Sequence, residues 1–284
     1  MPLLGEAQGL LSSLAEQMVR GTDPDRLFYY PTAESPHDGK DLGFNAEEVT
    51  FLSEDGVELH GLYLKQARKE ASKGVIVYSH GNSGSLGYHL GFTHWMVRGG
   101  YEVLIYDYRG YGKSKGELDR GGMVADVRAA LRFGRKKAGQ ELEGKLFSFG
   151  HSLGGAKSLA ALGEKMVPGV RGVICYGGFA SYAEMAETVA GALGRKLVSD
   201  DHSPAKVIGK ISPVPVLIIH GKRDAVVPFS QGQKLFAVAR EPKTFFPIEE
   251  GGHNGALWRD QQKYLKKTLA WMDEQLKKPM GKEE

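Results

Sequence analysis

From Gly74 onward the chain alternates two textures, and this alternation limits the fold more than any other feature. Short apolar runs at 75–78, 103–106, 146–149, 173–176, 216–219 and 244–247 are separated by longer segments near 88–98, 120–138, 153–165, 181–198, 230–240 and 257–277, whose pattern is helical. Most of the runs carry no clean polar alternation, as expected of strands buried on both faces. Strands alternating with helices predict an α/β fold: a mostly parallel central sheet with helices on both faces, joined by right-handed crossovers. Ligands of such sheets sit beyond the carboxyl ends of the strands, so chemistry is sought just after each run. Upstream, residues 49–52, the turn Glu54-Asp55-Gly56 and residues 57–64 read as an N-terminal β-hairpin. Residues 21–45 are rich in Pro, Gly and Asp and read as loop.

The motif after the third run carries the chemistry. Gly150-His151-Ser152-Leu153-Gly154-Gly155 follows the predicted strand directly and opens a predicted helix. Strand, sharp turn and helix around G-x-S-x-G form a nucleophile elbow. The serine sits at the tip of a strained turn, the glycines leave room for close packing, and the helix N-terminus favours developing negative charge. Ser152 is therefore the candidate nucleophile, and it needs a base. Among nine histidines, His253 lies after the last apolar run and before the last helical segment, at the same edge of the sheet. His151 is a neighbour in sequence only, since its side chain points away from that of Ser152 across the turn. His80 and His220 close strands and read as structural. The imidazole needs a carboxylate to set its tautomer. Asp224, just after the run 216–219, fits this role, with Asp201 as the alternative acid. The oxyanion donors are assigned to the backbone N–H of Leu153 and of Asn82, with Ser83 the alternative to Asn82. Asn82 lies in the small-residue loop His80-Gly81-Asn82-Ser83-Gly84.

Bulk properties exclude other classes. The net charge, 37 − 34 = +3, is too small to argue for nucleic acid or an anionic surface. The single cysteine, Cys175, rules out an intrachain disulfide and a cysteine-based zinc site. Its flanks read as a buried strand, which makes it a core residue. No apolar run approaches the ~20 residues of a spanning helix, and no basic start precedes an unbroken apolar stretch. The chain is expected to be soluble and cytoplasmic. Leu4, Leu11, Leu14 and Met18 fall near one helical face, expected to dock on the domain's own core, with peripheral membrane contact as the alternative.

Five motifs in order resemble the α/β-hydrolase superfamily: Tyr78-Ser79-His80-Gly81-Asn82, Asp107-Tyr108-Arg109-Gly110-Tyr111-Gly112, the serine motif, His220-Gly221-Lys222-Arg223-Asp224 and Gly252-His253-Asn254. The resemblance runs from about Phe44 to Trp271 and implies the α/β-hydrolase fold with a small helical lid. Within the superfamily the chain is similar to minimal-cap serine hydrolases, which include carboxylesterases, monoacylglycerol-type lipases and protein depalmitoylases. The Asp107 motif is similar to a structural loop of that group. In these terms residues 1–45 form an extension of amphipathic helix and loop. Residues 46–278 form the hydrolase domain, with a lid insertion at about 177–212. In that insertion Phe179, Tyr182, Met185, Val189, Leu193 and Leu197 share a helical face over the pocket or pack in the core.

The resulting expectation is a carboxylesterase acting on small to medium acyl esters through an acyl-enzyme, with no metal or organic cofactor. The same triad would serve a thioesterase, a monoacylglycerol lipase or a peptidase. A non-catalytic α/β-hydrolase-like protein that binds a small ligand is the alternative from another class.

Overall fold

The structure, a computed structural model, describes Asp25 and residues 28–66, 71–255 and 262–279. Eight strands form one sheet: β2 (Asn45–Leu52), β3 (Glu58–Lys65), β4 (Val75–Ser79), β6 (Glu102–Tyr106), β7 (Leu146–His151), β8 (Val170–Tyr176), β9 (Val216–Gly221) and β10 (Lys243–Ile248). Their order is β10-β9-β8-β7-β4-β6-β3-β2. The pairs from β10 to β6 are parallel, while β2, β3 and β6 pair antiparallel. The six apolar runs are the six parallel strands. β4, β7 and β9 are buried along their whole length, which is why they read as continuous apolar text.

The two faces of the sheet hold separate cores. On one, Leu59, Tyr63, Val75 and Val77 pack with Met123, Val124 and Val127 of α3 (Arg120–Ala138), Leu159 and Leu162 of α4 (Leu153–Glu164) and Leu235 of α6 (Phe229–Val238). On the other, Leu62, Leu64, Ile76 and Tyr78 pack with Leu86 of α1 (Leu86–His89), Met96 of α2 (His94–Arg98) and Trp271 and Met272 of α7 (Gln262–Lys277). Alternate residues of β3 and β4 divide between the two cores, as the period of a strand requires. α3 opens on Asp119, whose carboxylate accepts the Gly122 amide, and closes on Arg135, Lys136 and Lys137. An acid at the N-cap and bases in the last turn both suit the helix dipole.

Three departures from the sequence expectation have physical causes. β2 starts at Asn45, four residues early, because its opening residues Asn45, Glu47 and Glu48 lie on an edge strand and carry no apolar signal. The segment 88–98 is two short helices flanking a 3-10 turn, Leu90–Thr93. Within the loop-like stretch 21–45, Tyr30–Pro31 forms strand β1, which pairs in parallel with β5 (Ser83–Gly84). That pairing is non-local and leaves no periodic trace.

In the candidate lid, α5 (Tyr182–Leu197) breaks at Ala190 and Gly191, where Gly191 has φ 60°. Before the break, Phe179, Tyr182 and Met185 are buried in the core; beyond it, Leu193 and Leu197 are exposed. The reading of Leu4, Leu11, Leu14 and Met18 lies outside the described residues. Among the described residues no helix is long and apolar enough to cross a membrane.

Candidate active site

The loop Asp107–Gly112 after β6 is a structural knot beside the site. Arg109 is buried and donates to both oxygens of Asp126 on α3, to the Asp55 carboxylate and to Ser53, joining the loop to α3 and to the β2–β3 turn. Asp107 is buried as well and accepts the Leu86 amide at 2.7 Å. A fork-shaped cation between two carboxylates is the geometry that makes a buried charge tolerable.

Ser152 stands between β7 and α4 with φ 55° and ψ −120°. Among the described residues only Ser152 and His202 have positive φ without being glycine. The elbow forms because a side chain is excluded on both sides. A Cβ on Gly150 would run into the Gly154 carbonyl, and one on Gly154 into the carbonyl of Ser79 on the neighbouring strand. The turn is also held by the Ser152 amide, which donates to Tyr176 at 2.8 Å.

The three expected side chains meet. His253 Nε2 is 2.9 Å from Ser152 Oγ, and His253 Nδ1 is 2.8 Å from Asp224 Oδ2. The Asp224 carboxylate is almost fully buried, and its Oδ1 accepts the amides of Val226 and Val227 at 2.9 and 2.8 Å. Those donors fix which oxygen faces the histidine. Leu153 is the first residue of α4, so its amide has no carbonyl within the helix to bond. Asn82 follows β4 beside it: a Cβ built on neighbouring Gly81 would stand 3.8 Å from Ser152 Cβ. Asp201, the alternative acid, is instead exposed and paired with Ser199. His151 places its Nε2 3.4 Å from the His253 carbonyl. Among the described residues no three His, Cys, Asp or Glu side chains converge as a metal-ligand set.

Around this centre burial disfavours the charged form of four other histidines. Burial pushes His151 well below the ordinary imidazole range, and the nearby His253 and His89 add to it. Burial, with His80 beside it, lowers His89 to about 3. His80 and His220 are also lowered by burial. His220 donates from Nε2 to the Val227 carbonyl at 2.9 Å and so braces the turn that carries Asp224. Burial pushes the Cys175 thiol up to about 12, in keeping with a core residue.

Sequence reasoning missed the groups that seat His253. The Tyr176 hydroxyl donates to the His253 carbonyl at 2.7 Å. Gly177, at φ 60°, lies so close that a Cβ there would be 3.4 Å from His253 Nδ1 and 3.6 Å from Asp224 Oδ2. The available signal was position: Tyr176 ends strand β8 at the carboxyl edge and Gly177 follows it.

Comparison with known proteins bears on the family and the fold. The YfhR protein of Escherichia coli K12 is 34% identical over 247 residues, covering 83% of this chain and 84% of its own length. Residues 70–200 match the family described as serine aminopeptidase, S33. The chain belongs to the α/β-hydrolase superfamily. Protein bem46 of Schizosaccharomyces pombe is 28% identical over 231 residues, 78% of this chain and 77% of that one. Among solved structures, an esterase of Pyrococcus furiosus superposes with a TM-score of 0.72 at 18% identity, covering 88% of this chain and 98% of the esterase. The acylaminoacyl peptidase of Pyrococcus horikoshii superposes at 0.63 and 19% identity over 85% of this chain and 43% of its own. At such identities these two structures speak for the α/β-hydrolase fold alone.

Proposed function

We propose that this α/β-hydrolase is a carboxylesterase that cleaves small to medium acyl esters through an acyl-enzyme on Ser152. The observation that carries the reading is the continuous line Ser152 Oγ–His253–Asp224, with contacts of 2.9 and 2.8 Å. Ser152 Oγ attacks the ester carbonyl carbon while His253 Nε2 takes its proton. The carbonyl oxygen becomes an oxyanion facing the amides of Leu153 and Asn82. The C–O bond to the alcohol breaks, and His253 returns the proton to the departing alkoxide. Water then repeats the sequence, giving its proton to His253 and its oxygen to the acyl carbon, and Ser152 leaves with the proton. Asp224 stays ionised throughout and steadies the imidazolium.

An apolar acyl group is favoured by the surface around the site. Tyr30, Tyr88 and Val226 are among the large apolar side chains left exposed. Tyr30 pairs with Ser83, a Cβ on Gly84 would strike the Tyr88 ring, and Val226 follows Asp224 by two residues. All three adjoin segments that carry site residues, and apolar surface exposed there gains by covering hydrocarbon.

The test is hydrolysis of p-nitrophenyl esters from acetyl to palmitoyl by the wild type and by Ser152→Ala. The reading expects turnover that peaks at short to medium chains and is lost in the variant. Turnover that survives the substitution overturns the nucleophile. A second reading, a peptidase, draws on the serine aminopeptidase match. It expects aminoacyl p-nitroanilides to be cleaved faster than the esters.

A further inference from the structure

We propose that Tyr111 is a positioning residue for the oxyanion hole, acting with the amide of Tyr30 to pin the Asn82 carbonyl. The inference rests on the hydrolase reading above and concerns what aims the oxyanion loop. That loop runs from Gly81 to Gly84, and Gly84 has φ 81°. Glycines at both ends leave its peptide planes free to rotate, since no side chain restricts them. An oxyanion donor is useful only when its N–H is already aimed before the charge develops. Something outside the loop must hold the planes.

The structure supplies a hold on both peptide planes flanking Asn82. The Gly81 carbonyl lies 2.7 Å from His80 Nδ1. A carbonyl only accepts, so Nδ1 carries the proton. The Asn82 carbonyl accepts twice: from the Tyr111 hydroxyl at 2.8 Å and from the Tyr30 amide at 2.9 Å. With both carbonyls held, φ and ψ of Asn82 are set, and so are the directions of the Asn82 and Ser83 amides. Turning the second plane would break two bonds together.

Neither donor of the second plane belongs to the loop. Tyr111 is fully buried in the Asp107–Gly112 motif, its ring edge-on to Tyr108 and 5.3 Å from His80. Burial raises its phenol well above the usual range, so it remains an O–H donor. Tyr30 lies on the segment before β2, which is secured on both sides. Thr32 donates to the Gly84 carbonyl at 3.1 Å and accepts the Gly112 amide at 3.0 Å, and Ser85 Oγ donates to the Glu34 carbonyl at 2.7 Å. Tyr29 receives a bond of 3.2 Å from the buried Lys157 on α4, five residues after Ser152. The N-terminal segment and the Asp107–Gly112 motif, which the reaction itself does not use, thus converge on one carbonyl of the loop that faces the nucleophile.

The experiment compares wild type, Tyr111→Phe and Tyr101→Phe. Tyr101 is another buried tyrosine, donating to Asp273 at the start of β6, at the edge of the sheet away from the site. Each is assayed for kcat and KM on the best ester and for inhibition by phenylboronic acid, whose tetrahedral adduct on Ser152 places an oxygen where the oxyanion forms. Losing one of the two bonds on the Asn82 carbonyl is expected to lower kcat about threefold to tenfold in Tyr111→Phe and to weaken the boronate by a similar factor, with KM within about twofold. Tyr101→Phe is expected to keep wild-type kinetics. A Tyr111→Phe enzyme with wild-type kcat and boronate affinity overturns the inference while leaving the hydrolase reading intact. Equal losses in both variants overturn it as well, because they mark a general packing effect. Absence of Ser152-dependent turnover in the wild type overturns the hydrolase reading and this inference with it.

Discussion

The strained backbone at Ser152 predicts that, of two variants that abolish activity, glycine is the more stable and alanine the less. At φ 55° and ψ −120° the residue lies outside the regions that L side chains favour. Such a conformation costs on the order of 1–3 kcal/mol. Ser152→Ala and Ser152→Gly both lose the bond to His253 Nε2, but only glycine also relieves the strain. Glycine loses about 0.7 kcal/mol to the greater freedom of the unfolded chain and about 0.8 kcal/mol for a buried methyl. Against roughly 2 kcal/mol of strain, glycine should lead alanine by about 0.5 kcal/mol. Ser158 provides the control: it is fully buried inside α4, six residues on. In a regular helix alanine should lead glycine by about 1–2 kcal/mol. The contrast between the two sites is therefore about 2 kcal/mol, or roughly 4 °C in Tm for a chain of this size. Thermal melts of the four variants measure it. Alanine equal to or above glycine at position 152 would refute the strain argument.

Three further outcomes are expected. Asp224→Asn should lower kcat by about 10³–10⁴-fold with little change in KM: Val226 and Val227 donate to Oδ1, so the asparagine must place its carbonyl there and its NH₂ against His253 Nδ1, forcing the proton onto Nε2. Steady-state kinetics read this, and a loss below tenfold would mean that the tautomer is set elsewhere. Stability should fall as pH drops below about 6.5, because the unfolded chain protonates its histidines while burial keeps His80, His89, His151 and His220 neutral in the fold. Each contributes up to about 1.4 kcal/mol per pH unit; for His89 the window runs from about 6.5 down to about 3. Urea midpoints against pH test this, with His89→Gln expected to flatten the slope and a flat wild-type profile from pH 7 to 5 counting against it. Arg109→Ala should cost about 3–5 kcal/mol by stranding buried Asp126, and Arg109→Lys should recover little of it because the fork is lost; chemical denaturation measures both.

The sheet and the three central side chains were legible because each left a local mark. Five buried strands and the half-buried edge strand β10 wrote six apolar runs, the elbow wrote its glycines, and Asp224 and His253 each follow a run closely. Edge strand β2 was half hidden, since its solvent-facing residues Glu47 and Glu48 carry no apolar text. What could not be read were contacts between distant segments through backbone atoms. The β1–β5 pairing, the Tyr176 bond to the His253 carbonyl and the two donors on the Asn82 carbonyl leave no spacing to detect. The break in α5 was hidden for a related reason: apolar residues from Phe179 to Leu197 keep helical spacing in sequence, but Gly191 at φ 60° ends the common face.

This division between local and non-local signals also locates specificity. The groups that aim the reacting atoms are backbone amides and carbonyls or buried side chains: Leu153, Val226 and Val227 amides, the Asn82 carbonyl, Tyr111 and Asp224. None of them is shaped to recognise one acyl group over another. On the proposed reading, selection falls to the exposed side chains near the site, Tyr30, Tyr88 and Val226, which stand free of the core. Tyr30 belongs to both layers, since its amide holds the oxyanion loop while its ring faces solvent beside Ser83. A change at the Tyr30 ring should shift chain-length preference through KM, because the apolar surface offered to the acyl chain changes while the amide bond remains. A change at Tyr111 alters the aim and should appear in kcat at every chain length. Profiles of Tyr30→Ala and Tyr111→Phe across the ester series separate the two: a chain-length shift in both, or in neither, would break the assignment of aim to the buried layer and choice to the exposed side chains.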